Sequence, residues 1–147
     1  MDQIKTKITK EEGEILEAKN IRRKVFQEEQ GIKSELDYDG KDEDADHFVA
    51  YFNDKIVGTL RVRYLSKDTA KLERLAILKD YRKAGIGTKL LNFVINYLKD
   101  KMIKKLKLNA QLSAREFYQK NGFEEIGEPF DELGIMHIKM TKILNGN

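Results

Sequence analysis

The chain has 147 residues, 36% of them charged, with a net charge of +3 and no cysteine. That length suits one domain with a real core, and the small net charge makes no case for nucleic acid. The lack of cysteine removes disulfides, a cysteine-acyl intermediate and thiolate metal sites.

Two histidines are too few to suggest a His-based cluster, so no metal is expected. The N-terminal stretch has no apolar run and no segment approaches a membrane span. The expectation is a cytoplasmic chain without membrane contact.

Residues 4–8 read as a first strand. Thr9-Lys10-Glu11-Glu12 has capping-box spacing, with Thr9 as cap and Glu12 three residues on. A helix follows, with Ile15, Ala18, Ile21 and Val25 on one face. Arg22, Arg23 and Lys24 read as its solvated end, and Gly31 stops it or separates it from a second short helix.

In residues 35–46, Glu35, Asp37, Asp39, Gly40 and Asp46 fall on positions 1, 3, 5, 6 and 12 of a calcium-loop pattern. Asp46 is too short to bridge as the usual bidentate glutamate does. Asp42 stands where an apolar residue normally pairs two loops. Residues 47–52 then read as a strand, not as the exiting helix. A solvated acidic loop is expected instead, with carboxylates rimming an acceptor site as the alternative.

Asn53-Asp54-Lys55 makes a turn between residues 47–52 and a strand over 56–65. There Leu60, Val62 and Tyr64 alternate with Thr59, Arg61 and Arg63, as on a half-buried antiparallel strand. His47, opening a buried strand, reads as structural. Residues 71–78 form the next strand. Ile86, Leu90, Phe93, Val94, Tyr97 and Leu98 recur at three- and four-residue steps and predict an amphipathic helix to about Lys99. The basic run 99–107 reads as a solvated helix end feeding a fifth strand marked by Leu106 and Leu108. Residues 113–121 form a further helix ended by Gly122. Residues 123–126 and 135–141 are the last strands, with Pro129 in the loop between them. The pattern is mixed α/β, one domain over residues 1–147.

Arg82-Lys83-Ala84-Gly85-Ile86-Gly87-Thr88 joins the strand over 71–78 to the long helix. A strand, a glycine turn and a helix N-terminus present unpaired N–H groups and the positive end of the helix dipole, which is an anion site. Gly85 and Gly87 let a phosphate approach with no Cβ in the way. Arg82 and Lys83 add charge. A triphosphate loop is excluded because Thr88 and Lys89 follow Gly87 in the wrong order. A dinucleotide fingerprint would need glycine where Leu90 stands. What remains is R-x-x-G-x-G, with a plain strand-to-helix turn as the alternative.

A second segment lies downstream: Asn109-Ala110-Gln111-Leu112-Ser113-Ala114-Arg115-Glu116-Phe117-Tyr118-Gln119-Lys120-Asn121-Gly122-Phe123. Together the two resemble the GNAT superfamily of acyl-CoA-dependent N-acyltransferases. The first looks like that family's pyrophosphate loop, R/Q-x-x-G-x-G/A, and the second like its A-x-x-F-Y-x-x-x-G-F signature. The resemblance runs from about Val25 to Met140. Val25-Phe26-Gln27-Glu28-Glu29-Gln30 and residues 130–140 look like the ElaA-type (YjcF-type) branch, although Met136 stands where that branch has proline before its last histidine.

The resemblance implies a GNAT fold: a mostly antiparallel twisted sheet of about six to seven strands flanked by about four helices. It implies acetyl-CoA as co-substrate and direct transfer to a primary amine, small molecule or peptide, in a ternary complex. Residues 82–88 would hold the pyrophosphate. Main-chain groups of Leu75, Ala76, Ile77 and Leu78, after a splayed fourth strand, would hold the pantetheine, with an N–H near Leu75 or Ala76 facing the oxyanion. Gln111 takes the slot of an asparagine that touches the pantetheine. Tyr118 would protonate the departing thiolate. The base is Glu73 first and His137 second. Glu73's structural alternative is an ion pair with Arg61 or Arg63. Phe26, Glu29 and Gln30 would face the acceptor. Two rivals stand beside this reading: an acyl-CoA-binding module without turnover, and another class of nucleotide-phosphate binder. Oligomeric state is open, a homodimer included.

Overall fold

The structure is a computed structural model and describes residues 2–34 and 38–144. Its frame is a seven-stranded sheet of order β1-β2-β3-β4-β5-β7-β6, with β1 Ile4–Thr9, β2 Asp46–Phe52, β3 Lys55–Tyr64, β4 Thr69–Ile77, β5 Lys105–Gln111, β6 Glu124–Glu132 and β7 Ile135–Ile143. Every neighbouring pair is antiparallel except β4 with β5. Helix α1 (Glu12–Arg22) runs on into a π-helical segment, Arg23–Glu29. Helices α2 (Ile86–Asp100) and α3 (Arg115–Lys120) follow, with short 3-10 turns at Lys79–Tyr81 and Leu112–Ala114.

The sheet is covered on both sides. Ile86, Leu90, Leu91, Val94, Ile95 and Leu98 of α2 pack with Phe48, Leu60, Leu72, Leu106, Leu108 and Met140 of the strands. On the other face, Ala18, Ile21, Val25 and Phe26 pack with Val49, Ile56 and Ala76. Each large buried apolar side chain contributes about 1.5–3 kcal/mol relative to exposure. Strands β2 and β3 are therefore buried on both faces over their middles.

Local expectations change at four places. Thr9 ends β1 and does not cap with Glu12: its hydroxyl accepts from the Glu11 N–H and donates to Glu14, and Tyr51 donates to the same Glu14 carboxylate at 2.6 Å. Arg22 is not a solvated helix end; it is buried and pairs with Asp42. The alternation in β3 is overridden, since Arg61 is 1% exposed and Tyr64 lies at the surface. Pro129 lies within β6, at a pairing irregularity between Ile126 and Phe130. β6 is the sheet's edge strand, where a missing N–H breaks no interior ladder.

Candidate active site

The site begins with a defect in β4. Thr59 pairs with Ala76 and Arg61 with Glu73, so Leu60 faces two residues, Arg74 and Leu75. Arg74 takes up the extra length at φ 58, a left-handed conformation uncommon for a side-chain-bearing residue. Beyond this bulge β4 leaves β5: their parallel pairing covers only Thr69 to Lys71 against Lys105 to Lys107, while β5 stays with β7 through Gln111. A wedge opens between the two strands.

The Leu78 N–H donates to the Val57 carbonyl at 2.9 Å. By the two-residue alternation of an antiparallel ladder, Ala76 turns its N–H to β3, and Leu75 and Ile77 turn theirs to the wedge. Leu78 is therefore tied to β3 and does not line the cavity.

The wedge is the mouth of a cavity of about 770 Å³, within the range that holds a cofactor-sized ligand. It is lined by Leu75, Ala76, Ile77, Arg82, Lys83, Gly85, Gly87, Thr88, Gln111, Glu73, Tyr118 and His137 among others. Most of the expected site residues thus converge, although Ala84 and Ile86 do not line it, and Ile86 is core. Gly85 sits at φ +80 before α2, with open space where its Cβ would be. A Cβ on Gly87 would meet the Phe117 ring at 3.6 Å and the Ile77 side chain at 3.9 Å, both ordinary contacts. The backbone here can be approached closely by a phosphate.

Two expected roles are altered. Arg82 does not lie over the turn: its Nε donates to the Ile77 carbonyl at 2.9 Å and its guanidinium pairs with Glu29. Glu29 is thereby withdrawn from the acceptor wall. Glu73 accepts from Arg61 at 2.7 Å and from Arg63 at 2.6 Å, with Lys71 at 3.5 Å. Burial would raise its pKa, but the arginines dominate and hold it down to about 2. A carboxylate so acidic is a poor proton acceptor, and the ion-pair alternative is the one the structure contains.

Tyr118 stacks edge-on with Phe117 and Phe123, at 5.1 and 5.8 Å between centroids. Burial pushes its phenol above the ordinary value, so it stays protonated. His137, 4% exposed, donates from Nδ1 to the Ile135 carbonyl at 2.7 Å, because a carbonyl only accepts. Its Nε2 stands 3.6 Å from Glu132, which also accepts from Asn109 at 3.0 Å. Gln111 donates to Gln30 at 2.8 Å across the mouth.

Glu132 and Asn109 were not foreseen. Glu132 is one acid among several in β6, and only the pairing of β6 with β7 brings it to His137. Asn109 shares a strand face with Gln111, which the period of two in β5 would have shown. Asp39 and Asp42 of the acidic loop bind arginines: Asp39 holds Arg61 at 2.7 Å, and Asp42 holds Arg22 at 2.9 Å and Arg61 at 3.1 Å. Glu35 and Asp37 lie outside the described residues.

A splayed fourth strand feeding a glycine turn at a helix N-terminus is the arrangement the motifs anticipate. The family description "Acetyltransferase (GNAT) domain" matches residues 6–144. The chain belongs to the GNAT acetyltransferase family. It is 40% identical to YyaT of Bacillus subtilis over 139 residues, 92% of this chain and 93% of that protein. It is 34% identical to the uncharacterized N-acetyltransferase YjcF of the same organism over 140 residues, 95% and 99% of the two chains. Among solved GNAT-like structures, one from Lactobacillus plantarum superposes with a TM-score of 0.90 at 26% identity, covering 97% of this chain and 99% of that one. Escherichia coli ElaA shares the fold at a TM-score of 0.83 and 23% identity, with the same coverage. These relatives place the GNAT chain in the ElaA/YjcF-type branch, and it is an acyltransferase. A GNAT acetyltransferase from Elizabethkingia anophelis, solved with acetyl-CoA bound, shares the fold at a TM-score of 0.65 and 22% identity. Among the described residues, no helix is long and apolar enough to cross a membrane.

Proposed function

We propose that the chain, a single domain over residues 1–147 working in the cytoplasm, moves an acetyl group from acetyl-CoA to a primary amine by direct transfer in a ternary complex. The observation that carries this is the wedge between β4 and β5, which leads from the Gly85–Gly87 turn past the N–H groups of Leu75 and Ile77 to Tyr118. The donor set fits the ligand: backbone N–H groups and open glycines for a pyrophosphate, and unpaired strand edge for an amide-bearing arm.

Residues 83–88 hold the pyrophosphate, Lys83 adding charge, and Ile77 and Gln111 hold the arm. Bound acetyl-CoA supplies the acetyl group as a thioester. The Leu75 N–H faces the developing oxyanion. Tyr118, protonated and free of other hydrogen bonds among the described residues, gives its proton to the departing sulfur. His137 takes the amine proton at Nε2, which stands 3.6 Å from Glu132.

Calorimetric titration with acetyl-CoA tests the reading. The native protein binds; Gly85→Asp, which puts a carboxylate at the pyrophosphate, does not. Gly85→Asn, tolerant of a left-handed backbone, controls for strain and retains binding. No binding by the native protein would sink the proposal. An acyl-CoA binder without turnover would bind in the same way yet release no thiol with any amine.

A further inference from the structure

The turn between β6 and β7 holds one residue against its backbone preference. Glu132 pairs with Ile135, so the turn itself is Leu133 and Gly134. Both have positive φ, 59 and 80, as in the primed hairpin turns that Asn-Gly fills most readily. A leucine there is strained, because its Cβ crowds the following carbonyl oxygen. Strain of this kind persists where the surrounding structure over-determines it, and it gathers at functional sites.

The Leu133 side chain lines the cavity and packs against the core on the α1 side of the sheet. Three members of that core, Val25, Phe26 and Ile32, line the cavity as well, and they are 4%, 8% and 5% exposed. These four residues come from the π-helical segment, the chain just after it and the hairpin turn. None belongs to β4, β5 or the glycine turn, which line the cofactor end. Together they make an apolar wall. The wall reaches the chemistry at its hairpin end, since Leu133 directly follows Glu132, 3.6 Å from Nε2 of His137.

Resting on the acetyl-transfer reading, we propose that the acceptor is a primary amine on an apolar arm, alkyl or aryl, and that Leu133 sets this specificity by packing against that arm. The C–N bond forms at the amine as the thioester C–S bond breaks, and the proton lost by the amine is balanced by the one gained by the thiol. An apolar arm leaves water for such a wall favourably. A second ammonium or a ring of hydroxyls would need hydrogen-bond partners that four hydrocarbon side chains do not supply.

The test compares acceptors of like shape: hexylamine against 1,5-diaminopentane, and 2-phenylethylamine against 2-(4-pyridyl)ethylamine. The expected result is kcat/KM higher by about tenfold or more for the apolar member of each pair. Leu133→Asn suits the left-handed backbone, so the melting temperature should hold or rise. The same variant should cut the preference about fivefold or more and leave KM for acetyl-CoA unchanged. Leu133→Met keeps the wall apolar and should keep the preference. Where turnover is too slow, the same pairs are titrated into CoA-loaded protein, and the apolar members should bind more tightly by similar factors. Equal or reversed preference in the native protein, or a preference that Leu133→Asn leaves intact, overturns the inference while acetyl transfer stands. Failure of the native protein to bind acetyl-CoA overturns both.

Discussion

Arg61 and Glu73 face each other across β3 and β4, the guanidinium donating to the carboxylate at 2.7 Å with Arg61 1% and Glu73 10% exposed. The pair occupies the position where a proton acceptor was expected. Glu73→Gln removes the carboxylate that pairs with buried Arg61 and with Arg63, and should destabilise the fold by about 3 kcal/mol, read as a shift in the denaturation midpoint. The rate profile near neutral pH should keep its shape. A midpoint unchanged with a collapsed rate would restore Glu73 as the base.

The same carboxylate has a pH signature. Its folded pKa, about 2, lies below the usual 4.5. A depressed acid contributes stability above its unfolded pKa and loses it as pH falls through the folded value. Thermal unfolding followed from pH 5 to pH 2 should show a fall in midpoint that Glu73→Gln flattens.

Tyr118→Phe keeps the ring contacts with Phe117 and Phe123 and removes only a hydroxyl that makes no hydrogen bond among the described residues. Steady-state kinetics should show kcat lower by about a hundredfold or more, with KM for acetyl-CoA and the melting temperature little changed. Full activity in the variant would move the acid elsewhere.

Gly87→Ala separates fold from binding. The added methyl meets Phe117 at an ordinary contact distance of 3.6 Å, so the melting temperature should stay within about 2 °C. The methyl also stands where a phosphate would approach, and acetyl-CoA affinity by calorimetry should drop about tenfold. Equal affinity would mean the phosphate sits away from this glycine.

Glu29 holds Arg82 away from the glycine turn, and the guanidinium in turn keeps the Glu29 carboxyl below its ordinary range. Glu29→Ala should free Arg82 for the pyrophosphate and tighten acetyl-CoA about two- to fivefold at low salt. Unchanged affinity would show that the Ile77 carbonyl alone keeps Arg82 in place.

Much of this was readable along the chain. Helix α2 was expected from residue spacing and ends at Asp100, one residue past Lys99. The glycine turn and the Phe117–Tyr118 helix announce themselves within short segments, because turn and helix geometry depend on near neighbours. The alternation in β3 misled at Arg61, whose charge is matched by Asp39 and Asp42 from a loop about twenty residues earlier and by Glu73 from the next strand. Pro129 suggested a loop, and only its place on an edge strand made it tolerable within β6.

The sequence by itself determined the family, the order of elements and the glycine turn before the long helix, all of which follow from local spacing. Tertiary structure decided which side chains are free to act. Glu73 and Arg82 are engaged by partners from other elements, whereas the Tyr118 hydroxyl makes no hydrogen bond among the described residues, and His137 meets Glu132 only through the β6–β7 pairing. The reason is physical: an ionisable group's chemistry is set by the charges and solvent within a few ångströms of it, and those neighbours come from parts of the chain that no local pattern connects.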